Sequence, residues 1–117
     1  MDILIFCNKH LVEGFYRYEL NCTFNDPFKH VTIDVSELDW NRSVIIDKLI
    51  RSKFSQDMVE AIINNHFLKI SDWLEKKFEG EEVTFDDPEY TELQEWRVKC
   101  KEAASLAFDE YPEYKPE

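Results

Sequence analysis

Between residues 15 and 24 the chain alternates without a slip. Tyr16, Tyr18, Leu20, Cys22 and Phe24 form one series, and Arg17, Glu19, Asn21 and Thr23 lie between them. A period of two with one apolar face predicts a half-buried antiparallel strand. Residues 30–35 repeat the pattern, with Val31, Ile33 and Val35 on one face and Thr32 and Asp34 on the other. Residues 2–7 are apolar at Ile3, Leu4, Ile5 and Phe6, hence on both faces, which is the pattern of a central strand. Asn25-Asp26-Pro27 predicts a turn, because proline presets its backbone angle and Asn and Asp bond locally. Three strands with short links predict an antiparallel meander.

The period then becomes helical. Val44, Ile45, Leu49 and Ile50 make an apolar stripe within 42–53, with Asp47 and Arg51 four apart on the other side. Ser55 is placed to cap a second helix. From there Met58, Val59, Ile62, Ile63, His66, Phe67, Ile70, Trp73, Leu74 and Phe78 keep three-to-four spacing, and Gly80 follows as a stop. This stretch fits one helix or two, and the poor helix formers Asn64 and Asn65 favour a break there or at Ser71. Val83-Thr84-Phe85 reads as a short strand or an extended link. Asp87-Pro88 then starts a last helix, Asp as cap and Pro in the first turn. Its stripe is Leu93, Trp96, Cys100, Ala103, Ala104, Ala107 and Phe108.

Strands followed by helices is the order of an α+β protein. The simplest arrangement is a three-stranded antiparallel sheet at the N-terminus with three to four helices packed on one face. The other face, with Arg17, Glu19, Asn21, Thr23, Thr32 and Asp34, then meets water or a partner. Residues 1–111 are expected to form this one domain and residues 112–117, with two prolines, a loose tail.

Composition removes several function classes. Gly14 and Gly80 are the only glycines, so no glycine-rich phosphate loop exists. No run of about 18 apolar residues suits a membrane span, and the apolar start follows an acid, unlike a secretory signal. Three cysteines at wide spacing make a poor disulfide framework and fit reduced thiols. A cytoplasmic protein is expected.

The chemistry-bearing residues make weak constellations. Cys7 and His10 have ligand-like spacing and Cys22 and His30 lie on neighbouring strands, but Cys22 to His30 is wider than the pairs that hold zinc. Cysteines in apolar strands or a helix stripe lack the basic, exposed setting a thiolate nucleophile needs. His66 falls on the apolar side of its helix, the place of a packed histidine with one satisfied nitrogen. The adjacent acids Glu81-Glu82 and Asp86-Asp87 diverge and lack companion histidines. No catalytic residue, cofactor or metal is expected. Arg42, Lys48, Arg51, Lys53, Lys69, Lys76 and Lys77 make the middle third mildly basic, yet a net charge of −11 opposes direct binding of nucleic acid.

The distribution of charge is the one feature that points to a partner. Residues 79–117 hold thirteen acids and four bases, a net of −9, whereas residues 41–78 carry +2 and residues 1–40 carry −4. Glu92, Glu95, Glu102, Asp109 and Glu110 fall on the polar side of the last helix or at its end, and Glu81, Glu82, Asp86 and Glu89 cluster before it. Rows of carboxylates can imitate a phosphate backbone and occupy the basic groove of a nuclease or other nucleic-acid-binding protein, with fast, salt-sensitive association. Tyr90 and Tyr111 among the acids add apolar contact area at low entropy cost. In composition alone the chain is similar to phage-encoded inhibitors, including anti-CRISPR proteins and nucleic-acid mimics, and to immunity proteins. These features imply a small acidic, non-enzymatic protein that binds and inhibits a basic partner protein, without touching nucleic acid or membrane. The alternative is a structural or regulatory interaction module, a homo-oligomer included, that uses the sheet edge or the Trp96–Ala103–Ala107 stripe. A second alternative, a small metal-binding protein, requires Cys7, His10, Cys22 and His30 to converge.

Overall fold

The computed structural model describes residues 3–25 and 28–111. Three antiparallel strands, β1 (Ile3–Val12), β2 (Phe15–Asn25) and β3 (Phe28–Ser36), pair in the order β1-β2-β3. A 3-10 turn at Glu37–Asp39 leads into three helices, α1 (Arg42–Arg51), α2 (Gln56–Phe78) and α3 (Pro88–Glu110). The α+β class is as the patterning predicts. Residues 26 and 27 of the predicted turn and the predicted tail, 112–117, lie outside the described residues.

The strand pattern misleads at β1. It is an edge strand, not a central one, and it extends to Val12, pairing from Ile3 opposite Phe24 to Val12 opposite Phe15. Leu4 and Phe6 are exposed on the outer face of the sheet, so their apolar character does not report burial. The β1–β2 link is the two residues Glu13 and Gly14, with φ of 51° and 87°. Two successive positive φ values give the tight turn whose twist matches that of the flanking strands. β3 pairs on the other side, with Tyr18 opposite Val35 and Cys22 opposite Val31.

Helix ends are set by local chemistry. Asn41 accepts from the Val44 amide at α1, and Ser55 Oγ accepts from the Met58 amide at 3.2 Å at α2. Gly80, at φ 83°, ends α2: the Gly80 amide donates to Lys77 O and the Glu81 amide to Lys76 O. This is the left-handed stop that satisfies carbonyls a continuing helix would otherwise bond. Contrary to the expected break, α2 runs unbroken through Asn64, Asn65 and Ser71. These three side chains are exposed, so they cost only a few tenths of a kcal/mol each in propensity, while Ile62, Ile63 and His66 beside them make the packing contacts. Residues 83–85 form a link, not a strand. Ser55→Ala is expected to remove about 1 kcal/mol of stability, read as a lower urea midpoint. An unchanged midpoint would show that water serves the Met58 amide equally well.

One apolar core joins the inner face of the sheet to α1 and α3. Leu20, Cys22, Phe24 and Val35 meet Ile45, Leu49, Leu93 and Cys100, all essentially without solvent exposure. Trp96 packs on Phe24, ring centroids 4.8 Å apart, and its indole N–H donates to Leu49 O at 3.2 Å. Trp40 is wedged between Tyr18 and Phe108. Ala103, Ala104 and Ala107 let α3 lie close to its neighbours.

α2 departs from the expected packing on the sheet. Only Val59 and Ile62 of its 23 residues are buried. Its second half is flanked by the link to α3, through the Trp73 indole N–H donating to Val83 O and the Trp73 ring against Phe85. The molecule is therefore long, 64 × 29 × 22 Å with a radius of gyration of 18.5 Å, against about 13 Å for a compact domain of roughly 100 residues. Among the described residues no helix is long and apolar enough to cross a membrane.

Candidate partner-binding site

The acidic segment is anchored by Asp87. Its carboxylate caps α3 by accepting from the Tyr90 amide at 3.4 Å, and it also accepts from His66 Nδ1 at 2.9 Å and Lys69 Nζ at 3.1 Å. The His66 ring stacks on Tyr90, centroids 3.5 Å apart, and Phe85 stands edge-on to it. Burial pushes the Asp87 carboxyl upward, but the bonds from His66, Lys69 and the Tyr90 amide outweigh it and hold the group below its ordinary range. Contrary to the expectation that the adjacent acids Asp86-Asp87 lack a companion histidine, Asp87 has one in His66, and it is thus a charged knot that ties the acidic link to the middle of α2.

Around this knot the acids divide into three sets. Glu81, Glu82, Asp86 and Glu89 are exposed on the link and the first turn of α3. Nearby, the Lys76 ammonium is held above its usual range by its bond to Asp72, with Glu81 and Glu79 adding to the effect. In the second set, Glu92 pairs with Lys53 at 3.1 Å. Lys53, Glu92, Glu95, Trp96 and Lys99 line one small depression, and the Lys53 ammonium lies over the Trp96 ring. The third set is a row: Glu95, Glu102 and Asp109 are exposed and seven residues apart. Seven residues are nearly two turns, so these carboxylates follow one line of α3 at intervals of about 10.5 Å. Among the described residues none of the three is in an ion pair. Glu110 is exposed at the helix end. Link and helix end are roughly 30 Å apart along α3 by the same rise per residue, so the nine acids do not make one patch.

The two tyrosines turn toward the fold. Tyr90 is half-buried in the stack on His66, and Tyr111 packs against the core with its hydroxyl accepting from the Cys7 amide at 3.0 Å. That bond serves the open edge of β1. The Trp96–Ala103–Ala107 stripe, considered above as an association seam, is consumed by the core.

The sheet separates the residues of the metal reading. Cys7 and Cys22 are buried on the inner face, whereas His10 is exposed and His30 is on the outer face, bonded to Thr23 and Thr32. The four do not converge, and among the described residues no group of three or more His, Cys, Asp or Glu is placed to hold a metal ion. Burial pushes the Cys22 and Cys100 thiols up to about 12, so both are protonated at neutral pH and neither has a nucleophile's setting.

No family model matches this chain, and no curated protein or solved structure does. The surface carries one feature that composition and charge did not bring forward. Phe67, Leu68, Leu74 and Phe78 are exposed on the second half of α2. The signal was in the spacing: eleven apolar positions over 58–78 are more than one buried face of a helix accommodates.

Proposed function

We propose that this protein acts by binding, and that it inhibits a basic, nucleic-acid-handling partner protein by docking its acidic row on that partner's groove. The observation that supports this reading is the line of Glu95, Glu102 and Asp109 on a helix whose opposite side is locked into the core. The backbone of a row held this way needs no ordering when a partner arrives, which leaves only the side chains' own rotamer freedom to be lost. The acidic link, with Glu81, Glu82, Asp86 and Glu89, extends the same sign of charge beyond the first turn of α3. Glu92, already paired with Lys53, contributes less.

The test is capture from host lysate at low and high salt, with wild type and a Glu95→Lys, Glu102→Lys, Asp109→Lys triple variant. The screening length falls from about 10 Å at 0.1 M to about 3 Å at 1 M salt. A basic protein should be captured at low salt, released at high salt, and lost in the variant. All three positions are exposed, so the variant should melt like the wild type. Equal capture by a folded variant would sink the reading.

A further inference from the structure

α2 has two faces. Val59, Ile62, His66, Ile70 and Trp73 turn toward the rest of the fold, buried or half-buried. Next to this face runs a second line, Ile63, Phe67, Ile70, Leu74 and Phe78, at spacings of four, three, four and four. Through Leu74 this is the alternation of a coiled-coil seam, in which apolar residues at mean spacing 3.5 insert between those of a facing helix. Ile63 and Ile70 are half-buried, but Phe67 is 62%, Leu74 44% and Phe78 89% exposed. Large apolar residues are not expected to stand in a row in water on a projecting helix.

We infer that a second copy of this chain covers this line, α2 against α2 in antiparallel register about a two-fold axis between residues 68 and 69. In an antiparallel pair the two kinds of seam position face one another. Phe67 then meets the partner's Ile70, and Ile63 meets the partner's Leu74. The next layer outward sets Glu60 opposite the partner's Lys77. By symmetry each contact occurs twice, as a self-complementary two-fold interface requires. The seam thus selects a register on its apolar residues alone, and that register brings opposite charges together at both ends. A parallel pair would instead set Glu60 on Glu60 and Lys77 on Lys77.

The charges have no competing ion pair. Among the described residues Glu60 bonds only to Gln56 and Lys77 lies over the Trp73 ring. The area is of the right order. At about 150–250 Å² per aromatic side chain, the exposed parts of Phe67 in the seam and of Phe78 on its flank amount to roughly 300 Å² per copy. That is over a third of the roughly 800 Å² per partner in a standard interface, before Leu74, Ile63 and Ile70 are counted. This inference rests on α2 and stands apart from the acidic row on α3.

Sedimentation equilibrium of the full chain tests it. The wild type should approach twice 14.1 kDa. Phe67→Glu should sediment as a monomer with an unchanged circular dichroism spectrum, since the residue is exposed. Glu60→Lys and Lys77→Glu should each weaken the dimer about tenfold. The double variant should restore it, and an equimolar mixture of the two single variants should form a heterodimer. A wild type that stays at 14.1 kDa at high protein concentration would overturn the inference, leaving the face to a helix of another protein. A dimer indifferent to both single charge changes would overturn it too, because the copies would then pair in parallel or elsewhere.

Discussion

Trp96→Ala should lower the stability of the protein by about 4 kcal/mol, within the 3–5 kcal/mol range of buried Trp and Phe truncations. The indole fills the space between the sheet and α1, against Phe24, and donates to Leu49 O. Truncation opens a cavity and removes one donor from Leu49 O, which the Ser52 hydroxyl at 2.6 Å and the Ser52 amide still serve. A domain of this kind has only about 5–15 kcal/mol in total, so the variant should be close to unfolding at physiological temperature. Trp96→Phe separates the two contributions. It keeps most of the apolar volume and loses the hydrogen bond, so it should cost about 1 kcal/mol plus a smaller cavity effect. The urea midpoints of both variants check the ranking. If the alanine variant lost no more than the phenylalanine variant, the neighbours would have closed over the gap.

Asp87→Ala should be the most damaging change outside the core. It removes the cap of α3 and leaves His66 and Lys69 without their shared acceptor. Its urea midpoint should fall by more than that of Ser55→Ala, where a single amide loses its partner. Asp87→Asn keeps a capping oxygen and loses the charge, so it should fall between wild type and Asp87→Ala. The pH dependence has a definite sign. The folded carboxyl is held below its ordinary value, so its stabilisation is fully present above the unfolded value of about 3.9. It is lost as pH falls from there through the folded value. The loss of stability below about pH 4 should therefore be shallower in Asp87→Asn than in wild type. Parallel acid profiles would mean that other carboxylates carry the whole effect.

Much of the fold was legible because one periodicity had one cause. In β2 from Tyr18 to Phe24 and in β3 from Val31 to Val35 polar residues face out and apolar residues face in, so period two reports burial directly there, while Phe15, Tyr16 and Phe28 at the strand ends are exposed. At β1 the same reasoning failed. Leu4 and Phe6 are apolar but exposed, and a strand that is apolar on both faces reads as central whether or not anything covers it. The caps at Ser55, Asp87 and Gly80 were legible because each is a local bond between near neighbours. The continuity of α2 was not, since Asn64 and Asn65 signal a break by propensity while packing on either side of them decides the outcome. The acidic third could be counted but not sorted. Lys53, which pairs with Glu92, comes from the end of α1, and nothing local in α3 announces it. Tyr90 and Tyr111 look like contact residues beside so many acids, and only the fold shows what they touch.

The three sulfurs offer a use that no partner enters into. Cys22 and Cys100 have no exposed surface and Cys7 almost none, and they lie on β1, β2 and α3, across the layer boundary of the core. A thiol-specific reagent cannot reach Cys22 or Cys100 while α3 lies on the sheet. The rate at which a mild disulfide reagent modifies them at neutral pH is then a clock for the lifting of that helix. At reagent concentrations too low to trap every opening, the rate gives the equilibrium of opening under native conditions, with no denaturant and no residue changed beforehand.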